Sequence, residues 1–142
     1  MGSNIVFDAE PVVATALDEQ GADVVESYYA EIRSGDIKGW MCTANLLEVH
    51  YIVGRGATKE KADTVTDFLI DLGINFIDVG NIYLGASRFK REYSVALGDA
   101  MALATTEEVD DAALLVGADD CYDDIEESAG EPEIIRFRDE SD

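Results

Sequence analysis

Residues 112 to 116 read Ala-Ala-Leu-Leu-Val. A strand of that composition has no polar side to turn toward water, so both of its faces must be covered. Four further segments predict strands: Ile5–Phe7, Lys38–Cys42, the alternating run 74–79 and Glu133–Phe137. Helical signals separate them. Pro11 suits a helix start, with Val12–Leu17 behind it. Residues 22–33 place Val25, Tyr28, Tyr29 and Ile32 on one face, closed by Gly35. Thr43 can cap a helix to Val53, ended by Gly54 and Gly56. Residues 59–72 repeat the helical period before Gly73, Ile82, Ala86, Phe89 and Tyr93 mark another helix, and Leu97–Glu107 is an Ala-rich one. Strands alternating with helices imply right-handed crossovers. The expected fold is therefore α/β, a three-layer α/β/α sandwich with a central, mostly parallel five-stranded sheet. A chain of 142 residues suggests one domain. We expect it to span 1–138, with an acidic tail at 139–142, and see no internal repeat or linker.

Hydrophobic residues make up 47% of the chain, which excludes disorder despite the charge. Asp and Glu number 31 against 10 Lys and Arg, a net charge of −21. So acidic a chain repels nucleic acid in dilute salt. The pattern points to a salt-accumulating cytoplasm, as in a halophilic archaeon. At about 1 M salt the Debye length is ~3 Å and surface repulsion nearly vanishes. The acids run along the whole chain, although residues 107–142 hold 15 acids and 2 bases. Arg55, Lys59 and Lys61 group together, as do Arg88, Lys90 and Arg91. A polyanion would find its contacts there, unless both groups are ordinary solvated helix faces. No apolar run approaches the roughly 18 residues of a membrane span, and no leader pattern marks secretion. Cys42 and Cys121 lack metal-type spacing, so we expect free thiols in a reducing cytoplasm.

Four carboxylates end or interrupt apolar sequence. Asp8 stops Ile5-Val6-Phe7. Glu48 breaks the stripe Ala44, Leu47, Tyr51, Ile52. Asp99 is the sole charge from Ser94 to Thr106, and Asp119 follows the strand at 112–116. Plainer readings exist: Asp8 as a strand terminator, Glu48 at a stripe edge, Asp99 as a helix cap after Gly98. A lone buried carboxylate is costly unless paired or neutralised, so four of them ask for a common cause. A hard divalent ion, Mg²⁺ or Mn²⁺, prefers such oxygens. It can grip a phosphate and make a bound water nucleophilic. In open parallel sheets ligands bind beyond the carboxyl ends of strands, where Asp8 and Asp119 fall. His50 is then a packing or surface residue rather than a catalyst.

The stretches VFDAEPVV (6–13), NLLEVHYI (45–52), LGDAMALATT (97–106) and LLVGADDCY (114–122) together resemble the PIN domain, a metal-dependent ribonuclease fold. The resemblance runs from Ile5 to Phe137. It implies catalytic and metal-binding acids at Asp8, Glu48, Asp99 and Asp119, accessory positions at Asp120 and Thr43, a Mg²⁺ or Mn²⁺ cofactor and an RNA substrate. In the fourth stretch the family commonly has Thr-x-Asp-x-x-Phe; here Gly117 stands for the Thr and Tyr122 for the Phe. Asp120 is the alternative to Asp119 as the fourth acid. Where Ser, Thr or Asn often follows the first acid, this chain has Ala9-Glu10. Short PIN proteins of this size resemble VapC-type toxins, usually homodimers held inactive by a small antitoxin. The aromatic stripes Tyr28-Tyr29 and Phe89-Tyr93 could supply an interface, or be plain core.

Two other activities fit less well. A haloacid-dehalogenase-like phosphatase wants Asp-x-Asp after the first strand and a lysine before the last acidic motif. Here the first motif is Asp8-x-Glu10, and no lysine follows Lys90. A calcium loop at 119–127 lacks the glycine its sharp turn needs. A non-catalytic PIN-like module that binds RNA or protein is the remaining alternative, and the presence of all four acids argues against it.

Overall fold

The computed structural model of the protein describes residues 3–139. The wholly apolar segment forms β4 (Ala112–Val116), inside a sheet ordered β3-β2-β1-β4-β5. Its neighbours are β1 (Asn4–Phe7) and the edge strand β5 (Glu133–Arg136). On the far side of β1 lie β2 (Lys38–Cys42) and the edge strand β3 (Asn75–Ile77). All four pairings are parallel. The sheet is thus wholly rather than mostly parallel, because a helix stands in every connection. Those helices are α1 (Ala9–Ala16), α2 (Ala22–Ser34), α3 (Thr43–Gly56), α4 (Lys59–Leu72), α5 (Tyr83–Glu92), α6 (Leu97–Glu108) and the short α7 (Asp123–Glu126).

Successive strand residues point to opposite faces, and the core divides accordingly. Ile5, Phe7 and Leu115 pack with Val12, Val25, Tyr29, Val49 and Leu69 of α1 to α4. Val6, Leu114 and Val116 pack with Phe89, Leu103, Tyr122 and Ile125 on the other face. Each large apolar side chain so buried contributes about 1.5–3 kcal/mol. The three-layer α/β/α arrangement follows.

Element boundaries depart from expectation where local chemistry decides. α1 begins at Ala9, not after Pro11, because Asp8 caps it. Pro11 falls in the first turn, where its missing N–H has no intrahelical partner to lose. Thr43 is the first residue of α3 rather than its cap; the cap position is Cys42, and no side chain bonds there. α3 also runs past Gly54 to Gly56. An internal glycine costs about 1 kcal/mol, which the packing of α3 on α4 overrides. The third strand stops at Ile77, and a 3-10 turn at Val79–Asn81 follows. As an edge strand held only by β2 it has little to extend it. Tyr29 and Phe89 are buried core, with Tyr28 and Tyr93 half-buried, so the aromatic stripes are not an open interface. Cys42 and Cys121 are free. Of the expected tail, Asp139 is exposed, and 140–142 lie outside the described residues.

Candidate active site

β1 and β4 lie side by side where the strand order reverses, and each ends in an acid. Asp8 follows β1 and Asp119 follows β4 by three residues. Glu48 enters from α3, on one face of the sheet. Asp99 enters from the first turn of α6, on the other. These four carboxylates line one cleft of about 290 Å³, together with Ala9, Glu10, Val13, Ile52 and Ala96. No cationic side chain lines it among the described residues.

Asp8 is buried, and both of its oxygens are engaged. Oδ1 accepts the Ala9 N–H at 2.8 Å, and Oδ2 accepts the Tyr122 hydroxyl at 2.7 Å. Burial, and after it the negative charge of Asp99, pushes the Asp8 carboxyl well above the usual carboxylate range. The two hydrogen bonds oppose that rise, and Glu48 adds a little to it. Asp8 therefore terminates its strand and caps a helix while also facing the cleft. Glu48 is raised too, chiefly by burial, with Asp99 adding to it and the Asn45 amide opposing. Asn45 Nδ2 donates to Glu48 Oε1 at 3.4 Å and to the Gly98 carbonyl at 3.1 Å.

Glycine matters at two places here. A Cβ on Gly98 would stand 2.7 Å from Glu48 Oε1, so the bare backbone of α6 makes room for that carboxylate. A Cβ on Gly117 would run into the Glu10 carboxylate. Glu10 thus fills the space that a side chain at 117 would occupy, and Arg138 pairs with it at 2.9 Å. Asp99 is the third residue of α6, whose cap position is Ala96, so it is not the helix cap. Its oxygens, those of Asp119 and Cys121 Sγ include atoms all within 4.8 Å of one another. Burial and the two carboxylates raise the Cys121 thiol far above its ordinary range, which keeps it protonated. The cleft lining is oxygen-rich and anionic, it includes the buried Asp8, and it holds no cationic side chain among the described residues. Such a lining fits a hard divalent ion.

The sequence matches the PIN domain family over residues 5–126. This chain belongs to the PIN domain family. PIN domains are typically metal-dependent nucleases that use divalent metals. No curated protein matches this PIN domain at the level of sequence. Among solved structures it is similar to a toxin–antitoxin complex from Klebsiella pneumoniae, with 16% identity and a TM-score of 0.66 over 94% of this chain and 97% of that one. It is also similar to VapBC2 from Rickettsia felis bound to a DNA fragment from their promoter. There the identity is 13% and the TM-score 0.71, over 94% and 98% of the two chains. At such identities the likeness is one of fold.

Other expected site residues of this PIN domain lie elsewhere. Asp120 is exposed and outside the cleft lining, in the turn that Asp119 caps through the Cys121 N–H at 3.0 Å. Thr43 lines a separate groove with Leu46, Leu47, His50, Tyr51, Thr66 and Ile70. His50 is half-exposed and bonds Asp63 at 2.8 Å. None of the six candidate RNA-binding bases lines the cleft. Arg88 is spent on Glu92, Glu107 and Glu131, and Lys59 on Asp63. Lys90 donates to the Val95 carbonyl and Arg91 to Ser87. Arg55, three residues beyond the cleft-lining Ile52, bonds Tyr51, and Lys61 is exposed. The bases that do adjoin the cleft are Arg136 and Arg138. Arg136 Nη1 donates to the carbonyls of Gly117 and Asp119 at 3.0 and 2.8 Å, and its Nη2 pairs with Asp123 and Glu126. They are the only two bases of an otherwise acidic final quarter, which was the available signal for them.

Proposed function

We propose that this PIN domain is a Mg²⁺- or Mn²⁺-dependent endoribonuclease, and the toxin of a toxin–antitoxin pair. Asp8, Glu48, Asp99 and Asp119 are its metal-binding and catalytic acids. The observation that carries this reading is the one cleft lined by these four carboxylates, brought from four separate stretches of the chain, with no basic side chain in its lining among the described residues. A bound ion would offset their repulsion, hold a phosphodiester oxygen and supply a water already inclined to ionise. The chain's own residues orient it: Asn45 holds Glu48, and the Asp119 loop is fastened by Arg136. The toxin role is supported by the two structural likenesses, each to one chain of a toxin–antitoxin structure, which this chain covers almost entirely. With Leu47, Tyr51 and Ile70 each more than half exposed around the α3–α4 groove, the chain offers apolar surface for a homodimer or a small antitoxin. RNA would approach past Arg55 or Lys61, the two least committed of the candidate bases. We place the protein in a cytoplasm of high salt, where its net charge is best screened. No helix among the described residues is long and apolar enough to cross a membrane.

Titrating Mn²⁺ into the chelator-treated protein, and assaying RNA cleavage beside it, tests the reading. Saturable binding together with metal-dependent cleavage is expected, both lost in Asp99→Asn. Binding without cleavage of any RNA offered would favour a non-catalytic module. Light scattering at molar salt that finds a monomer would remove the dimer.

A further inference from the structure

Tyr122 is 1% exposed, among the largest fully buried side chains of the molecule. Its ring packs in the layer of Val6, Phe89, Leu114 and Ile125, and a phenylalanine would fill that space equally well. The hydroxyl is extra. It stands 2.7 Å from Asp8 Oδ2, while the Ala9 N–H holds Oδ1. Two donors on different oxygens fix the plane of a carboxylate as well as its place. A carboxylate has about four lone-pair directions, so one on each oxygen is left for an ion.

The phenol is itself held from behind. Residues 117 to 122 form a short loop, and Arg136 fastens the carbonyls at both Gly117 and Asp119. Asp119 caps the turn that delivers Tyr122. The hydroxyl therefore acts from a fixed point, and the same loop presents Asp119 to the cleft.

We propose that Tyr122 is a positioning residue, whose hydroxyl keeps Asp8 aimed for a divalent cation before the cation arrives. This rests on the metal-site reading above. Partners of metal ligands orient them and set their affinity, and losing one weakens binding by about 10–100-fold. A tyrosine that merely finds an acceptor for its buried hydroxyl would show no such effect.

Tyr122→Phe deletes one oxygen and keeps the ring. Mn²⁺ would be titrated into the full chain after chelator treatment, with free Mn²⁺ read by its EPR signal. The expected result is a Kd about 10–100-fold weaker than the parent's, with a cooperative melt retained. Phe89→Leu, a destabilising change in the same layer away from the cleft, should keep the parental Kd. A Tyr122→Phe protein that binds Mn²⁺ within about threefold of the parent, whatever its Tm, overturns the proposal. So does an equal loss in Phe89→Leu, since instability alone would then account for it. Asp8→Asn in the same assay separates the two claims. If it binds Mn²⁺ as the parent does, the metal-site reading fails; if it loses binding while Tyr122→Phe does not, only the positioning role fails.

Discussion

Asp8 is largely buried; it caps α1 with one oxygen and takes the Tyr122 hydroxyl on the other. Ionising it there works against burial and against Asp99. Asp8→Asn keeps an acceptor for one of the two donors and removes the charge. Without metal the variant should melt at or above the parent, and with Mn²⁺ it should cleave RNA at least ~100-fold more slowly. A variant that melts far below the parent and still cuts would leave Asp8 as a cap alone. The pH dependence has a defined sign. Unfolded Asp and Glu titrate near about 3.9 and 4.3, and Asp8 and Glu48 are raised above this in the fold. Between the unfolded and folded values the native protein binds more protons, so stability falls as pH rises through that window. Asp63 and Glu131 are lowered by their partners, so their contribution is lost as pH falls below the unfolded value. Metal-free protein should therefore gain Tm as pH falls toward the unfolded carboxylate values near about 4, and lose it again below them. Asp8→Asn should flatten the first limb, and melts across that range that leave it unchanged would refute the assignment. The four cleft acids were legible in the sequence because each is a charge in an apolar setting. Tyr122 and Asn45 were harder to see, since a hydroxyl or an amide in an apolar run breaks no pattern.

α6 and β5 each bring the site something its sequence pattern conceals. In α6 the gap at Gly98 admits the Glu48 carboxylate. Gly98→Ala should favour the helix by up to about 1 kcal/mol while displacing Glu48, so Tm should hold or rise as Mn²⁺ affinity falls by roughly tenfold. Parental affinity in a calorimetric titration would show that Glu48 moves aside at no loss. On β5, Arg136 looks from its edge position like a solvent-facing residue, yet it fastens the loop that carries Asp119. Hydrogen bonds to charged groups contribute about 1.5–3 kcal/mol each, so Arg136→Ala should cost at least ~2 kcal/mol in denaturant melts. It should also speed amide exchange across 117–123. Lysine should not restore either, because its single ammonium lacks the fork that reaches two carbonyls and two carboxylates together. The parallel sheet was readable because its strand runs are short and largely apolar and the intervals before β2, β3 and β4 hold a helical period. α7 was not, since four residues rich in acid carry no period at all. The ends of α1 and α3 were set by a cap and by packing, which periodicity does not report.

Across the whole molecule the net charge of −21 works against compactness. Of its ten bases, Lys59, Arg88, Arg136 and Arg138 are held in ion pairs among the described residues. Raising KCl from about 0.1 to 2 M shortens the Debye length to well under 5 Å and should lift Tm by roughly 10 °C. A Tm insensitive to salt would count against the high-salt cytoplasm. The composition made that reading available, whereas the position of the bases around the cleft needed the fold. One consequence concerns time rather than space. β1 is translated well before its neighbour β4, which comes more than a hundred residues later, with Asn4 paired to Ala112. At about 5–20 residues per second, a ribosome needs several seconds to supply the second wall of the cleft. Throughout those seconds the growing chain has Asp8 and Glu48 without Asp119, and no clamp from Arg136. Under the proposed function the growing chain could not cut RNA until β4 and β5 have been made, which would leave a protective partner time to be waiting when β5 docks.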